Sequence, residues 1–208
     1  MLPRFYPILD TGLLRRRGLA VVDTAREILD AGAKILQFRH KDFFSREVFV
    51  DCERIAELCR RAGARFIVND RADIAALLGA GLHLGQEDLT PSLARRVLPH
   101  GFIGYSTHNE AQLRAAMQEP ADYFAIGPVF GTRSKENPDP VLGLQELARL
   151  RTITSRPLVA IGGITRANVA AVMIAGADSV AVISDLYPED GRIADRVAEW
   201  ILAVNARE

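Results

Sequence analysis

The segment "ILQFRHKD" (Ile35 to Asp42) starts as an apolar strand and ends in charge. Side chains two apart share one face of a strand, so Gln37, Arg39 and Lys41 project together if the strand runs that far. Three donors on one face suit an anion. The competing reading ends the strand near Gln37 and leaves the rest as solvated loop. Two acidic partners follow at later strand ends, Asp70 in "VNDR" and Asp88 in "HLGQED". Two hard carboxylates with few other protein ligands suit Mg²⁺, which keeps several waters and completes its shell from phosphate oxygens. Each aspartate has an alternative as a helix cap, Asp70 ahead of "RADIAALLG" and Asp88 ahead of "TPSLARRVL".

A second anion site is legible near the end of the chain. "AIGGITRAN" sets Gly162 and Gly163 before a helix that Thr165 is placed to cap, and "VISD" ends a strand at Ile183 and Ser184. Glycine lets backbone amides approach a ligand, and helix N-termini present free N–H groups. The long Gly/Pro-rich stretch "GPVFGTRSKENPDPVLG" carries Thr132, Ser134 and Lys135 and reads as a lid or binding loop, with Lys135 placed to complete an anion clamp or to remain solvated. Among the four histidines, His40 and His100 read as surface residues and His83 as a satisfied histidine inside the strand layer. His108, in "GYSTHN" after Ser106, is the one placed near a ligand. No Ser-His-Asp order or zinc-ligand spacing appears.

These residues need a scaffold that brings them to one place. Eight β-rich runs recur, "FYPILD", "KILQFR", "RFIVND", "GLHLGQ", "FIGYST", "YFAIGP", "PLVAIGG" and "SVAVIS". Between them lie segments of helical period such as "VVDTAREILDAG" and "SREVFVDCERIAELCRRAG". Alternating βα units imply a parallel sheet, and eight of them favour a closed (β/α)8 TIM barrel of the α/β class over an open sheet. The 208 residues, 49% of them hydrophobic, fit one catalytic domain over 1–208. On this architecture the active site gathers at the carboxyl ends of the strands. Asp10, Gln37, Arg39, Lys41, Asn69, Asp70, His83, Asp88, Ser106 and His108 all fall at such ends.

Lys+Arg and Asp+Glu balance at 26 each, which argues against nucleic-acid and acidic-membrane partners. Cys52 and Cys59 match no redox or zinc spacing and read as core thiols. No run approaches the about 18 apolar residues of a membrane span, so a cytoplasmic protein is expected. Homo-oligomer formation stays open.

The ordered motifs "QFRHK", "VND", "GLHLGQEDL", "GYSTH", "GPVFGTRSK", "AIGG" and "VIS" resemble those of the thiamine phosphate synthase family. The resemblance implies a transferase that joins 4-amino-2-methyl-5-(diphosphooxymethyl)pyrimidine to a hydroxyethylthiazole phosphate, releasing diphosphate. It further implies that Gln37, Arg39, Lys41, Asn69, Ser106 and Lys135 hold the pyrimidine diphosphate, and Asp70 and Asp88 its Mg²⁺. Thr132, Ser134, Gly163, Ile183 and Ser184 would hold the thiazole phosphate. Lys135, Arg39 and Lys41 would stabilise the leaving diphosphate. Two departures stand out: Ser134 where the family often has threonine, and His40 where an acid is common. A thiazole tautomerase of the same family, kept open by His108, and a non-catalytic phosphate sensor are the rival expectations.

Overall fold

Eight short parallel strands pair in chain order and close on themselves in a computed structural model that describes residues 1–131, 139–189 and 192–206. The strands are β1 (Phe5–Asp10), β2 (Ile35–Arg39), β3 (Arg65–Asn69), β4 (Gly81–Leu84), β5 (Ile103–Thr107), β6 (Tyr123–Ile126), β7 (Leu158–Ile161) and β8 (Ser179–Val182). Each carries a core of one of the eight runs read from the sequence. They are nearly continuous apolar runs because both faces of a parallel sheet are covered.

One face packs outward against the helices. Leu9, Leu36, Phe38, Val68, Leu82 and Phe124 belong to this outer layer. The other fills the barrel, where Tyr6, Ile8, Ile35, Ile67, Tyr123, Ala125, Val159 and Ala181 meet. Alternation along β2 therefore turns Ile35, Gln37 and Arg39 to the inside.

The helices are α1 (Thr11–Arg16), α2 (Val21–Asp30), α3 (Arg46–Arg61), α4 (Ala72–Leu78), α5 (Pro91–Ala94), α6 (Glu110–Ala116), α7 (Gly143–Arg151), α8 (Val169–Ile174) and α9 (Ile193–Asn205). A 3-10 turn covers Ser184–Leu186. Helix α3 starts where the Ser45 side chain accepts from Val48 N, and buries Cys52, Ile55, Ala56 and Cys59. Helix α9 closes the outer ring by laying Trp200 parallel to Phe5, with ring centroids 5.8 Å apart. No helix among the described residues is long and apolar enough to cross a membrane.

Helix α1 lies directly after β1, so the first unit carries two helices. Asp10 starts it by accepting from Leu13 N at 2.8 Å. The extra helix places a capped carboxylate at the mouth, beside the end of β2.

Candidate active site at the carboxyl mouth of the barrel

Strand β2 stops at Arg39, so Gln37, Arg39 and Lys41 take three different depths. Gln37 is 2% exposed and turned into the barrel, where its Nε2 donates to Tyr6 Oη at 3.0 Å. Arg39 is partly buried and ion-paired with Asp10, its register partner at the end of β1. Lys41 lies past the strand end and donates from Nζ to Asp70 Oδ2 at 2.5 Å. The two cations are thus each held by a carboxylate.

Asp70 follows β3 with φ +66°, the single non-glycine residue among those described in the left-handed region. Such a backbone costs on the order of 1 kcal/mol and persists only where its surroundings impose it. A hydrogen bond from Asp70 N to His83 O at 2.8 Å contributes that constraint. Burial, and next a hydrogen bond with the Asp88 side chain, push the Asp70 carboxyl up to about 6. Asp88 also accepts from Gly85 N at 2.7 Å. Neither aspartate caps a helix: α4 has no side-chain cap, and Thr90 caps α5. The two acids face each other instead.

That arrangement fits a divalent cation. Two adjacent carboxylates that resist sharing negative charge gain from a hard ion between them, and Mg²⁺ asks for few protein ligands. No group of three or more His, Cys, Asp or Glu suited to a metal occurs among the described residues, so water and a phosphate ligand would supply the rest.

Asn69, 7% exposed at the end of β3, keeps a buried Nδ2 without a partner. An unmade bond of this kind costs about 1–3 kcal/mol unless a ligand supplies the acceptor. Ser106 Oγ, near the end of β5, lies 2.9 Å from His83 Nε2, and the Ser106 carbonyl accepts from Gln86 Nε2 at 2.6 Å. Gln37, Arg39, Lys41, Asn69, Asp70, Asp88 and Ser106 therefore gather on the ends of β2 to β5.

Across the mouth, Gly162 and Gly163 both have positive φ, +99° and +62°. A Cβ on Gly163 would meet the Gly131 carbonyl and Phe130, so this glycine is required by the segment after β6 pressing on the turn after β7. Phe130 N donates to Gly162 O at 3.0 Å in the same contact. Ile183 packs against the barrel interior, and Ser184 is exposed at the start of the 3-10 turn. Thr165 does not cap α8. Its amide donates to Asn168 Oδ1 at 2.8 Å, and α8 begins only at Val169. Thr132, Ser134 and Lys135 lie outside the described residues.

Two histidines have specific partners in the structure. His40 is half-buried between Phe38 and Phe44, with Nδ1 2.8 Å from Thr11 Oγ1 and Nε2 3.2 Å from Phe43 O. His108 donates from Nδ1 to Gly127 O at 2.6 Å and lies 3.4 Å from Asp139 Oδ2, so it braces the segment after β6. The sequence reading missed the pairing of Asp10 with Arg39, although the spacing of Asp10 ahead of "TGLLRR" carries a helix-start signal.

The class defined by fold and site is a (β/α)8 barrel whose mouth combines two facing carboxylates, two paired cations and an unsatisfied amide. Residues 5–186 match the family described as thiamine monophosphate synthase, and the chain belongs to that family. It is 46% identical over 189 residues to the thiamine-phosphate synthase of Koribacter versatilis, covering 89% of each chain. Identity to the thiamine-phosphate synthase of Methanoculleus marisnigri is 47% over 175 residues, 83% of each. The structure is similar to the thiamine phosphate pyrophosphorylase of Pyrococcus furiosus at a TM-score of 0.86 and 33% identity, covering 97% of this chain and 95% of that one.

Proposed function

We propose that this protein is a thiamine phosphate synthase, condensing 4-amino-2-methyl-5-(diphosphooxymethyl)pyrimidine with 4-methyl-5-(2-phosphooxyethyl)thiazole to give thiamine phosphate and diphosphate. The observation that carries the reading is the joint placement of Arg39, Lys41, Asn69, Asp70 and Asp88 on the adjoining ends of β2, β3 and β4. Membership of the family and the names of its relatives support the same activity.

On this reading Arg39, Lys41 and Asn69 bind the diphosphate, with Lys135 added from the segment after β6. Asp70 and Asp88 would hold Mg²⁺, which when bound neutralises charge on the leaving group. Gln37 and Ser106 face the pyrimidine. Thr132, Ser134, Gly163, Ile183 and Ser184 hold the thiazole phosphate on the opposite side, so that its ring nitrogen meets the pyrimidine methylene. The C–O bond to diphosphate breaks first, because the aminopyrimidine ring delocalises the resulting cation. No base is needed. The protein's part is electrostatic, and removing one prepositioned donor costs about 3–4 kcal/mol of barrier, a hundredfold or more. The thiazole nitrogen, held close by its phosphate, captures the cation.

The isomerase alternative rested on His108, which is engaged with Gly127 O. The test is diphosphate release from the pyrimidine substrate, with and without the thiazole phosphate and with and without Mg²⁺. Metal-dependent release accompanied by thiamine phosphate is the expected result. Binding of thiazole phosphate without any diphosphate release would refute the synthase.

A further inference from the structure

A file of buried polar side chains runs across the inside of the barrel from β2 to β5. Gln37 Nε2 lies 3.0 Å from Tyr6 Oη, Tyr6 Oη 2.8 Å from Tyr123 Oη, Tyr123 Oη 2.9 Å from His83 Nδ1, and His83 Nε2 2.9 Å from Ser106 Oγ. Tyr6, Gln37, His83 and Tyr123 are all at most 9% exposed. The Tyr123 ring occupies the space where any Cβ on Gly104 would lie, which explains the glycine of "GYSTH" and holds the ring in place.

Each hydroxyl in such a file has one proton to give, so one fixed donor sets the direction of the rest. The Gln37 amide nitrogen can only donate, and Tyr6 Oη accepts from it. For its own proton to be satisfied, Tyr6 donates to its other neighbour, Tyr123. Tyr123 in turn donates to His83 Nδ1. That leaves the single proton of a neutral His83 on Nε2, donated to Ser106 Oγ, and leaves the Ser106 proton free.

We propose that Tyr123 and Tyr6 are positioning residues that fix the hydrogen-bond polarity of the pyrimidine pocket, setting Gln37 Oε1 as an acceptor on β2 and the Ser106 hydroxyl as a donor on β5. The file makes Tyr123 and Tyr6 specificity determinants without contact with substrate. This deepens, and rests on, the synthase reading. An aminopyrimidine presents an N–H donor beside ring-nitrogen acceptors and matches that pattern. Its 4-oxo analogue presents the reverse at that position and is rejected, because buried polar groups would be left unpaired.

The first measurement is the ¹⁵N spectrum of His83 in the ligand-free protein, assigned by its loss in His83→Gln. The Nε2–H tautomer is expected. Tyr123→Phe removes the donor to Nδ1 and is expected to shift His83 toward Nδ1–H. It should raise KM for the pyrimidine diphosphate about tenfold, the scale of one hydrogen bond, with KM for the thiazole phosphate unchanged and weaker preference over the 4-oxo analogue. Tyr6→Phe cuts Tyr123 off from the Gln37 donor that orients it, so His83 is expected to lose its exclusive Nε2–H form and the Gln37 end to loosen as well. A wild-type Nδ1–H signal overturns the proposal without needing any variant to fold, and so does a Tyr123→Phe spectrum identical to wild type. Should the wild-type protein show Nε2–H but form no thiamine phosphate, the synthase reading falls while the file and its direction stand.

Discussion

Replacing Asp70 by Asn should make the ligand-free protein more stable at neutral pH. The folded carboxyl titrates near 6 against an ordinary 3.8, raised by burial and then by Asp88, while the opposing pull of Lys41 is already included. A carboxylate with a raised folded pKa contributes stability that is fully present below about 3.8 and is lost as pH rises through about 6. Asn mimics the protonated acid, fits nearly the same volume and tolerates the left-handed backbone at φ +66°. The advantage of Asp70→Asn over wild type is then on the order of 3 kcal/mol at pH 7, roughly half of that at pH 5 and little at pH 4. For a chain of this size that is a rise in Tm of about 6–12 °C at pH 7. His83 works in the opposite sense. Its lowered pKa gives stability present above about 6.5 and lost as pH falls through about 4, but it is common to both proteins and drops out of the difference. Thermal melts of the two proteins at pH 4, 5 and 7, without divalent metal, measure the advantage. A variant no more stable than wild type at pH 7, or an advantage that does not shrink toward pH 4, would refute the reasoning. Adding Mg²⁺ at a hundredfold excess over its dissociation constant should stabilise wild type by about 2.7 kcal/mol and the variant much less.

Gly163→Ala forces a Cβ against the Gly131 carbonyl at a residue with φ +62°, so a loss of about 1–3 kcal/mol in denaturant unfolding is expected, with weaker thiazole phosphate binding by calorimetry. Wild-type binding retained at full strength in that variant would remove the turn after β7 from the phosphate site. Cys52 and Cys59 are buried and their thiols are pushed up to about 12 by that burial, so neither should react with a disulfide reagent at pH 8 until denaturant is added. Rapid labelling of the native protein would contradict the packing of α3.

The strands were legible because buried parallel strands write themselves as short apolar runs, and the βα alternation fixes their order once eight are counted. The neighbouring strand ends followed from that order, which is how Asn69, Asp70, Asp88 and Ser106 could be placed at one mouth. Helix α1 was not legible, since six residues directly after a strand carry too little periodicity. The file through Tyr6 and Tyr123 was hidden for a different reason. Both tyrosines sit among apolar residues of β1 and β6, and a hydrogen bond between residues 117 apart leaves no local mark. Only Gly104 hints at it, as a space reserved for the Tyr123 ring. Thr165 was misplaced because a turn through Asn168 intervenes before α8 begins.

The sequence reading aimed Arg39 and Lys41 at a substrate anion, and the structure pairs each with a carboxylate of the protein itself. The difference changes how the site should be understood. Of the candidate site residues at the ends of β1 to β4, Arg39 and Lys41 are paired with Asp10 and Asp70, and Asp88 adds a further carboxylate. The rim is therefore not a ready cationic trap for diphosphate. The acids hold the cations in position, and Asp10 is anchored in turn by the first turn of α1. Lys41, half-exposed, is the more easily redirected of the two, since its partner Asp70 is the residue already burdened by Asp88. On the synthase reading, Asp70 and Asp88 would hold the divalent cation, and Lys41, its pairing with Asp70 weakened, would turn toward a phosphate oxygen. Affinity for the pyrimidine diphosphate and affinity for the metal should then be coupled through Asp70, with Arg39 kept in place by Asp10 throughout.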